Sequence, residues 1–130
     1  MPVLARNKKA FHDYFIEDKL EAGIELVGTE VKSVKAGKVS IKESFIRIIR
    51  NEIFVMNMHI TPYEFGNINN VAESRVRKLL LNRREIKKWG EKIKEQGYTI
   101  VPISIYTKQR LVKMEIGLAK GKKMHDKRES

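Results

Sequence analysis

Between Lys113 and Leu118 the side chains alternate: Met114, Ile116 and Leu118 are apolar, while Lys113, Glu115 and Gly117 are charged or small. A period of two marks a strand with one buried face, because successive side chains leave a pleated backbone on opposite sides. At Ala119 the alternation stops. Lys120, Gly121, Lys122 and Lys123 follow, then Met124, His125, Asp126, Lys127 and Arg128. An apolar strand therefore hands over directly to a basic, glycine-containing tail, and the rest of the chain is read for the strands that complete its sheet.

Residues 1–9 read as a flexible basic arm. Phe11 to Val27 is rich in strand formers and is expected to form one long or bent strand, bulged near Gly23. Thr29 is placed to cap a short helix from Glu30 to Ala36, with Val31 and Val34 inward and Gly37 as its stop. Val39 to Arg50 reads as a second long strand whose apolar parity shifts between Ile41 and Ile46, as at a barrel corner or a bulge. Asn51 marks a tight turn, and the returning strand carries Phe54, Met56, Met58 and Ile60 on one face until Pro62 stops it.

Tyr63 to Ala72 lacks periodicity and reads as a loop. Glu73 to Gln96 reads as helical. Asn82-Arg83-Arg84-Glu85 has capping-box spacing, which predicts a break there between a short helix and a longer one ending at Gly97. Thr99 to Thr107 is a further strand with Val101, Ile103 and Ile105 inward, and Pro102 implies either that it is an edge strand or that this part of it is unpaired on one side. Lys108-Gln109-Arg110 is the turn into the last strand. The expectation is a mainly β fold: a small, closed, oligonucleotide-binding-like barrel of about six strands with about three helices, spanning 10–119, with the tail at 120–130.

The chain has 27 Lys and Arg against 16 Asp and Glu, a formal charge of +11. Such a surplus on 130 residues points to a polyanionic partner, and nucleic acid fits better than a membrane surface, since no stretch pairs a strong amphipathic pattern with aromatic anchors. There is no cysteine, which excludes disulfides and thiolate metal sites. No apolar run reaches the ~20 residues of a membrane helix, and residues 1–5 are too weakly apolar for a secretory signal, so a cytoplasmic protein is expected.

Catalysis finds little support. His12 and His59 lie in expected strands with no metal-binding spacing, the serines lack a nucleophile-elbow context, and Gly117 to Lys122 lacks phosphate-loop spacing. No cofactor, metal or enzymatic activity is expected. Binding residues are easier to find. Lys87 to Lys94 is interleaved with glutamates and reads as a solvated helix face, whereas Arg75 to Lys78 contains no acidic residue. Arg77 and Lys78 are therefore candidates for phosphate contacts. The tail is the other strong candidate, and Gly121 would let backbone approach a phosphate closely.

Several segments taken together are more specific than the composition. They are N-K-K-A-F-H-D-Y-F-I-E-D at 7–18, E-A-G-I-E-L-V-G-T-E-V-K-S-V-K-A-G-K at 21–38, M-H-I-T-P-Y-E at 58–64, R-K-L-L-L-N-R-R-E-I at 77–86, G-Y-T-I-V-P at 97–102 and I-G-L-A-K-G-K-K-M-H-D-K-R at 116–128. Over essentially its whole length the chain resembles the bacterial SsrA-binding protein (SmpB) family. The resemblance implies an oligonucleotide-binding-fold barrel that binds transfer-messenger RNA (tmRNA, or SsrA RNA) at its tRNA-like domain. It further implies delivery of that RNA to stalled ribosomes for trans-translation, without catalysis or cofactor and as a monomer.

By position, the family's RNA surface falls on Asn7, Glu21, Leu80 and Lys113, with Lys8, Lys9, Lys32, Lys35, Lys38, Lys120, Lys122 and Lys123 as helpers. His125, Asp126, Lys127 and Arg128 match the segment used at the small-subunit decoding region, where His125 would stack on a base of the 16S rRNA and the cations would meet phosphates. The family normally continues for about another twenty basic residues, so the tail ending at Ser130 is expected to be truncated. Read without the resemblance, Leu80 fills the core and Glu21 anchors a neighbouring cation. The alternative function is that of a general single-stranded or structured RNA binder.

Overall fold

Gln109 and Arg110 both adopt left-handed backbone, at φ 52° and 71°. That makes a two-residue hairpin turn of the kind whose twist matches its flanking strands. It joins β8 (Thr99–Lys108) to β9 (Leu111–Gly121), pairing Lys108 with Leu111 and Tyr106 with Lys113. The computed structural model describes residues 3–62 and 72–122, and this hairpin is the spine of the sheet within them.

β9 pairs along its other edge with β2 (Tyr14–Ile24), and β2 passes to β7 (Arg77–Leu80), β5 (Glu52–Met56) and β4 (Phe45–Ile49). β1 (Val3–Arg6) pairs with the remaining edge of β8. The seven-stranded antiparallel sheet thus runs β1-β8-β9-β2-β7-β5-β4, and β3 (Val39–Ser40) pairs separately with β6 (His59–Ile60). Among the described residues three helices accompany it: α1 (Lys9–Asp13), α2 (Gly28–Lys35) and α3 (Arg83–Gln96).

The mainly β class and the three helices agree with the reading of the sequence, but the closed barrel does not. Among the described residues β4 and β1 are the ends of the sheet, and no ladder joins β4 to β8. The physical reason lies where β4 meets the start of β8. Residues 1–9 were expected to be a flexible arm, yet Leu4 and Ala5 pack on the core and β1 pairs with β8, but only at Ser104 to Tyr106, away from β4. Ile93 and Gly90 of α3 line the remaining gap between β4 and the start of β8.

Other differences have local causes. Phe11 lies in α1, so the long strand begins only at Tyr14, and its irregularity falls between Ile16 and Asp18 instead of near Gly23. The parity shift after Ile41 is a turn, with Ser44 bonded back to the Ile41 carbonyl, that separates β3 from β4. A second shift occurs at Asn57, at φ 62°, so Ile53 and Val55 are buried in β5, and Met58 and Ile60 beyond the turn.

Arg77–Leu80 is a strand and not part of a helix. Its alternation, with Arg77 and Leu79 buried, is period two, and α3 starts only after Asn82. There the expected cap forms, the Asn82 carboxamide accepting from the Glu85 amide at 2.9 Å, and Gly97 ends the helix at φ 73°. Pro102 lies just past the last rung of β1, with a strand on its β9 side only. The loop expected at 63–72 lies, except for Ala72, outside the described residues.

The main core sits on one face of the sheet. Ala22, Met114, Ile116, Leu118, Ile105 and Leu79 meet Val34 of α2 and Ile86 and Trp89 of α3 there. Each large apolar side chain so buried contributes ~1.5–3 kcal/mol. A smaller cluster of Ala10, Val101, Ile103 and Ala119, under α1, covers part of the other face.

Candidate nucleic-acid interface

Beyond α1, that second face is open to solvent, and the strand registers place a row across it. Tyr106 pairs with Lys113, Lys113 with Gly23, and Gly23 with Leu80, so four strands each contribute one residue to the row. Gly23 keeps the row shallow: a Cβ there would lie 3.3 Å from the Leu80 Cβ. Leu80 is 48% exposed, on the same strand as the buried Leu79. A groove of about 190 Å³ runs beside it, floored by Gly23 and Ile24 and walled by Leu80, Val31, Arg110 and Lys113.

Glu21 stands one turn of pleat from Gly23 on β2. Its Oε2 accepts from the Tyr106 hydroxyl at 2.5 Å, and its Oε1 lies 3.5 Å from Lys108 Nζ. The Tyr106 hydrogen bond, with help from Lys108 and Lys113, holds the Glu21 carboxyl below the ordinary glutamate value. Burial and the same bond push the Tyr106 hydroxyl well above its ordinary value. Glu21 is therefore an ionised acceptor fixed in place. Since a carboxylate offers about four lone-pair sites, it retains capacity for a base edge.

The other residues singled out in the sequence fall elsewhere. Asn7 bonds through its side chain to the Pro102 carbonyl at 2.9 Å and through its amide to the Ile103 carbonyl. It ties the start of α1 to β8, with Lys8 and Lys9 exposed beside it. Lys32, Lys35 and Lys38 are exposed on α2 and the turn after it, and Val31 brings that helix to the wall of the groove. Lys78 is paired with Glu52 at 3.0 Å.

Lys120 and Lys122 lie at the far end of β9 from Lys113; Lys120 is seven residue steps along the strand from Lys113, roughly 24 Å. Lys120 Nζ sits 4.6 Å from the Tyr98 ring centre, and Lys122 Nζ sits 5.0 Å from that of Phe15 and bonds the Phe11 carbonyl. Lys123, His125, Asp126, Lys127 and Arg128 lie outside the described residues.

Arg77 is a correction. It is 1% exposed and cannot serve as a surface phosphate contact. Its Nε donates to Glu30 Oε2 at 2.8 Å, Nη1 to the Met58 carbonyl at 2.7 Å and Nη2 to the Glu73 carbonyl at 3.0 Å. Arg75 adds a second guanidinium, with Nη2 2.6 Å from Glu30 Oε1. Burial pushes the Glu30 carboxyl up, but the bonds from Arg75 and Arg77 outweigh it and the net shift is down. Glu30 also accepts from the Val27 amide at 3.0 Å at the start of α2. Two cations of the surplus thus hold the fold together.

Reading the sequence missed Tyr106, Lys108, Arg110 and Gly23. The signal that could have found them is the turn: two residues at 109–110, and not three at 108–110, set Tyr106 opposite Lys113.

A basic antiparallel sheet with an open face that combines a fixed acceptor, an exposed apolar side chain and lysines is the architecture of a nucleic-acid-binding module. The chain belongs to the SmpB protein family, whose model matches residues 4–130. It is 64% identical over 128 residues to the SsrA-binding protein of Fusobacterium nucleatum, across 98% of this chain and 86% of that one. With the SsrA-binding protein of Caldanaerobacter subterraneus it shares 58% over 127 residues, across 98% and 80%. A solved chain described as "tmRNA-SmpB: a journey to the center of the bacterial ribosome" superposes with a TM-score of 0.75 at 46% identity, covering 95% of this chain and 87% of that one.

Proposed function

We propose that this protein binds tmRNA through the Glu21–Gly23–Leu80–Lys113 face and carries it to stalled ribosomes for trans-translation, acting in the cytoplasm and by binding alone. The observation that carries the reading is the register. Three of the four residues that the family resemblance assigns to RNA, far apart in sequence, converge on one open face around Gly23. Leu80 supplies apolar contact for an exposed base or ribose, Lys113 charge for the backbone, and Glu21 an acceptor for a guanine edge. Asn7 acts differently, by fixing α1 on β8. The exit of β9, with Lys120 and Lys122, starts the tail toward the decoding region, where His125 to Arg128 would contact the small-subunit RNA.

The test is binding of a tRNA-like-domain transcript against bulk tRNA at physiological salt. The transcript is expected to bind more tightly, and Lys113→Ala to weaken it and reduce the log–log salt slope by ~0.7–0.9. Equal affinity for both RNAs would overturn the reading. Among the described residues no helix is long and apolar enough to cross a membrane.

A further inference from the structure

The unclosed edge of the sheet holds a second cleft, separate from the row around Gly23. Where β4 departs from β8, a cavity of about 300 Å³ opens between Lys9 and Asp13 of α1, Lys42, Phe45 and Arg47 by β4, and the first residues of β8. That size is at the lower end of the ~300–1,000 Å³ of small-ligand pockets.

Three features describe its occupant. First, Phe45 is 40% exposed on a strand whose outer edge has no partner among the described residues, and the Arg47 guanidinium lies 4.8 Å from its ring centre. A flat ring beside a guanidinium is a stacking surface that any nucleobase satisfies. Second, among the described residues neither Lys9 nor Lys42 nor Arg47 enters an ion pair, and Asp13 is the one carboxylate on the wall, with His12 Nδ1 2.8 Å from it. Third, β8 between Thr99 and Val101 lies past the last rung of β1 and, among the described residues, has no strand partner on this side, while the Pro102 carbonyl beside it is taken by the Asn7 side chain, so the cleft is open along the start of β8.

We propose that this cleft takes one unpaired nucleotide of an RNA, its base against Phe45 and Arg47 and its phosphate between Lys9 and Lys42. The inference rests on the reading of the chain as an RNA binder but uses a cleft away from the row around Gly23, sharing Asn7 and Lys9 with the residues that the resemblance assigns to RNA. An acidic peptide would satisfy the lysines and leave the ring without a role.

The test is NMR titration of the full chain with single-stranded hexauridylate and hexaadenylate, following the Phe45 ring and the Arg47 Nε–H. Both signals are expected to shift and saturate. Phe45→Ala is expected to weaken hexanucleotide binding about tenfold, within the range of base–aromatic stacking. Phe45→Leu, which keeps apolar bulk and loses the flat face, is expected to weaken it nearly as much, and Lys87→Ala, on the exposed face of α3, to leave it unchanged. Phe45 signals that stay still while others move would overturn the proposal. So would wild-type binding by Phe45→Ala, or equal shifts with hexaglutamate. If the tRNA-like transcript fails to bind selectively while hexanucleotides still move Phe45, the face around Gly23 loses its role and the cleft keeps its own.

Discussion

Arg77 and Leu80 stand three residues apart on β7 and occupy the places usually given to each other. The arginine is 1% exposed and the leucine 48%. Arg77 is tolerated inside because Glu30 and the main-chain carbonyls of Met58, Arg75 and Glu73 accept from its guanidinium. Leu80 is left outside because its neighbour across the ladder, Gly23, has no side chain to cover it. The contrast teaches that net charge alone does not locate the binding surface here. Part of the surplus is internal structure, and the open face carries an apolar contact that a count of cations passes over.

Removing the partner of Arg77 should have the largest effect. Glu30→Ala strands two guanidinium groups, one of them fully buried, and breaking a buried pair from one side costs ~3–5 kcal/mol. Urea unfolding is expected to show a fall of that order, a large share of the ~5–15 kcal/mol typical of a domain. A loss below ~1 kcal/mol would mean that Arg77 is held by carbonyls alone. Next in size is the contrast between neighbours. Leu79→Ala opens a cavity in the core and is expected to cost ~2–5 kcal/mol. Leu80→Ala is expected to change stability by no more than ~0.5 kcal/mol. RNA binding should reverse the order: Leu80→Ala loses about tenfold through apolar area buried against RNA, at ~0.8 kcal/mol per CH₂, while folded Leu79→Ala binds as wild type. Equal effects of the two variants in either assay would break the comparison.

The same strand shows how far the sequence could be read. The spacing of Arg77, Leu79 and Leu80 fits a helix turn as well as a strand, and an arginine at an inward position disguises the alternation. The partner that makes Arg77 acceptable, Glu30, is 47 residues away. Where periodicity was clean and capping local, in α3 and in the hairpin of β8 and β9, the elements were legible, with the boundaries of α3, although the hairpin's turn is one residue shorter than expected and β9 runs on to Gly121. The two long strands were read through their turns, because Ile41 to Ser44 and Asn57 contain no glycine or proline. Closure could not be judged, because it depends on how α3 packs between β4 and the start of β8, a long-range contact that leaves no periodic signal. The face around Gly23 was legible only through the family resemblance; its geometry needed the register.

Acid should separate the two regions more gently. Glu30 has its carboxyl below the ordinary value of 4.5 in the folded protein. A lowered folded value means that its contribution is complete above the unfolded value and is lost as pH falls through the folded one. Stability is therefore expected to decline below about pH 4.5, with a slope of up to ~1.4 kcal/mol per pH unit from this group. Glu30→Gln is expected to flatten that slope, measured by urea midpoints from pH 6 to pH 3. Glu21→Gln, on the open face, is expected to change it much less. An unaltered slope in Glu30→Gln would move the acid sensitivity away from the buried cluster.

The smallest expected effect on stability tests the open face most directly. In Gly23→Ala the new methyl would lie 3.3 Å from the Leu80 Cβ and 3.4 Å from its Cδ1, closer than ordinary contact. Gly23 is not among the glycines with positive φ, so its backbone accepts alanine. Leu80 is exposed and can swing away at little cost, and alanine restricts the unfolded chain, a gain of up to ~1 kcal/mol. Stability should therefore hold or rise slightly. The row from Lys113 to Leu80 is nevertheless filled at its centre and its apolar end displaced, so affinity for the tRNA-like transcript is expected to fall. If Gly23→Ala binds that RNA as wild type does, RNA does not lie across this row, whatever Lys113 contributes from its edge.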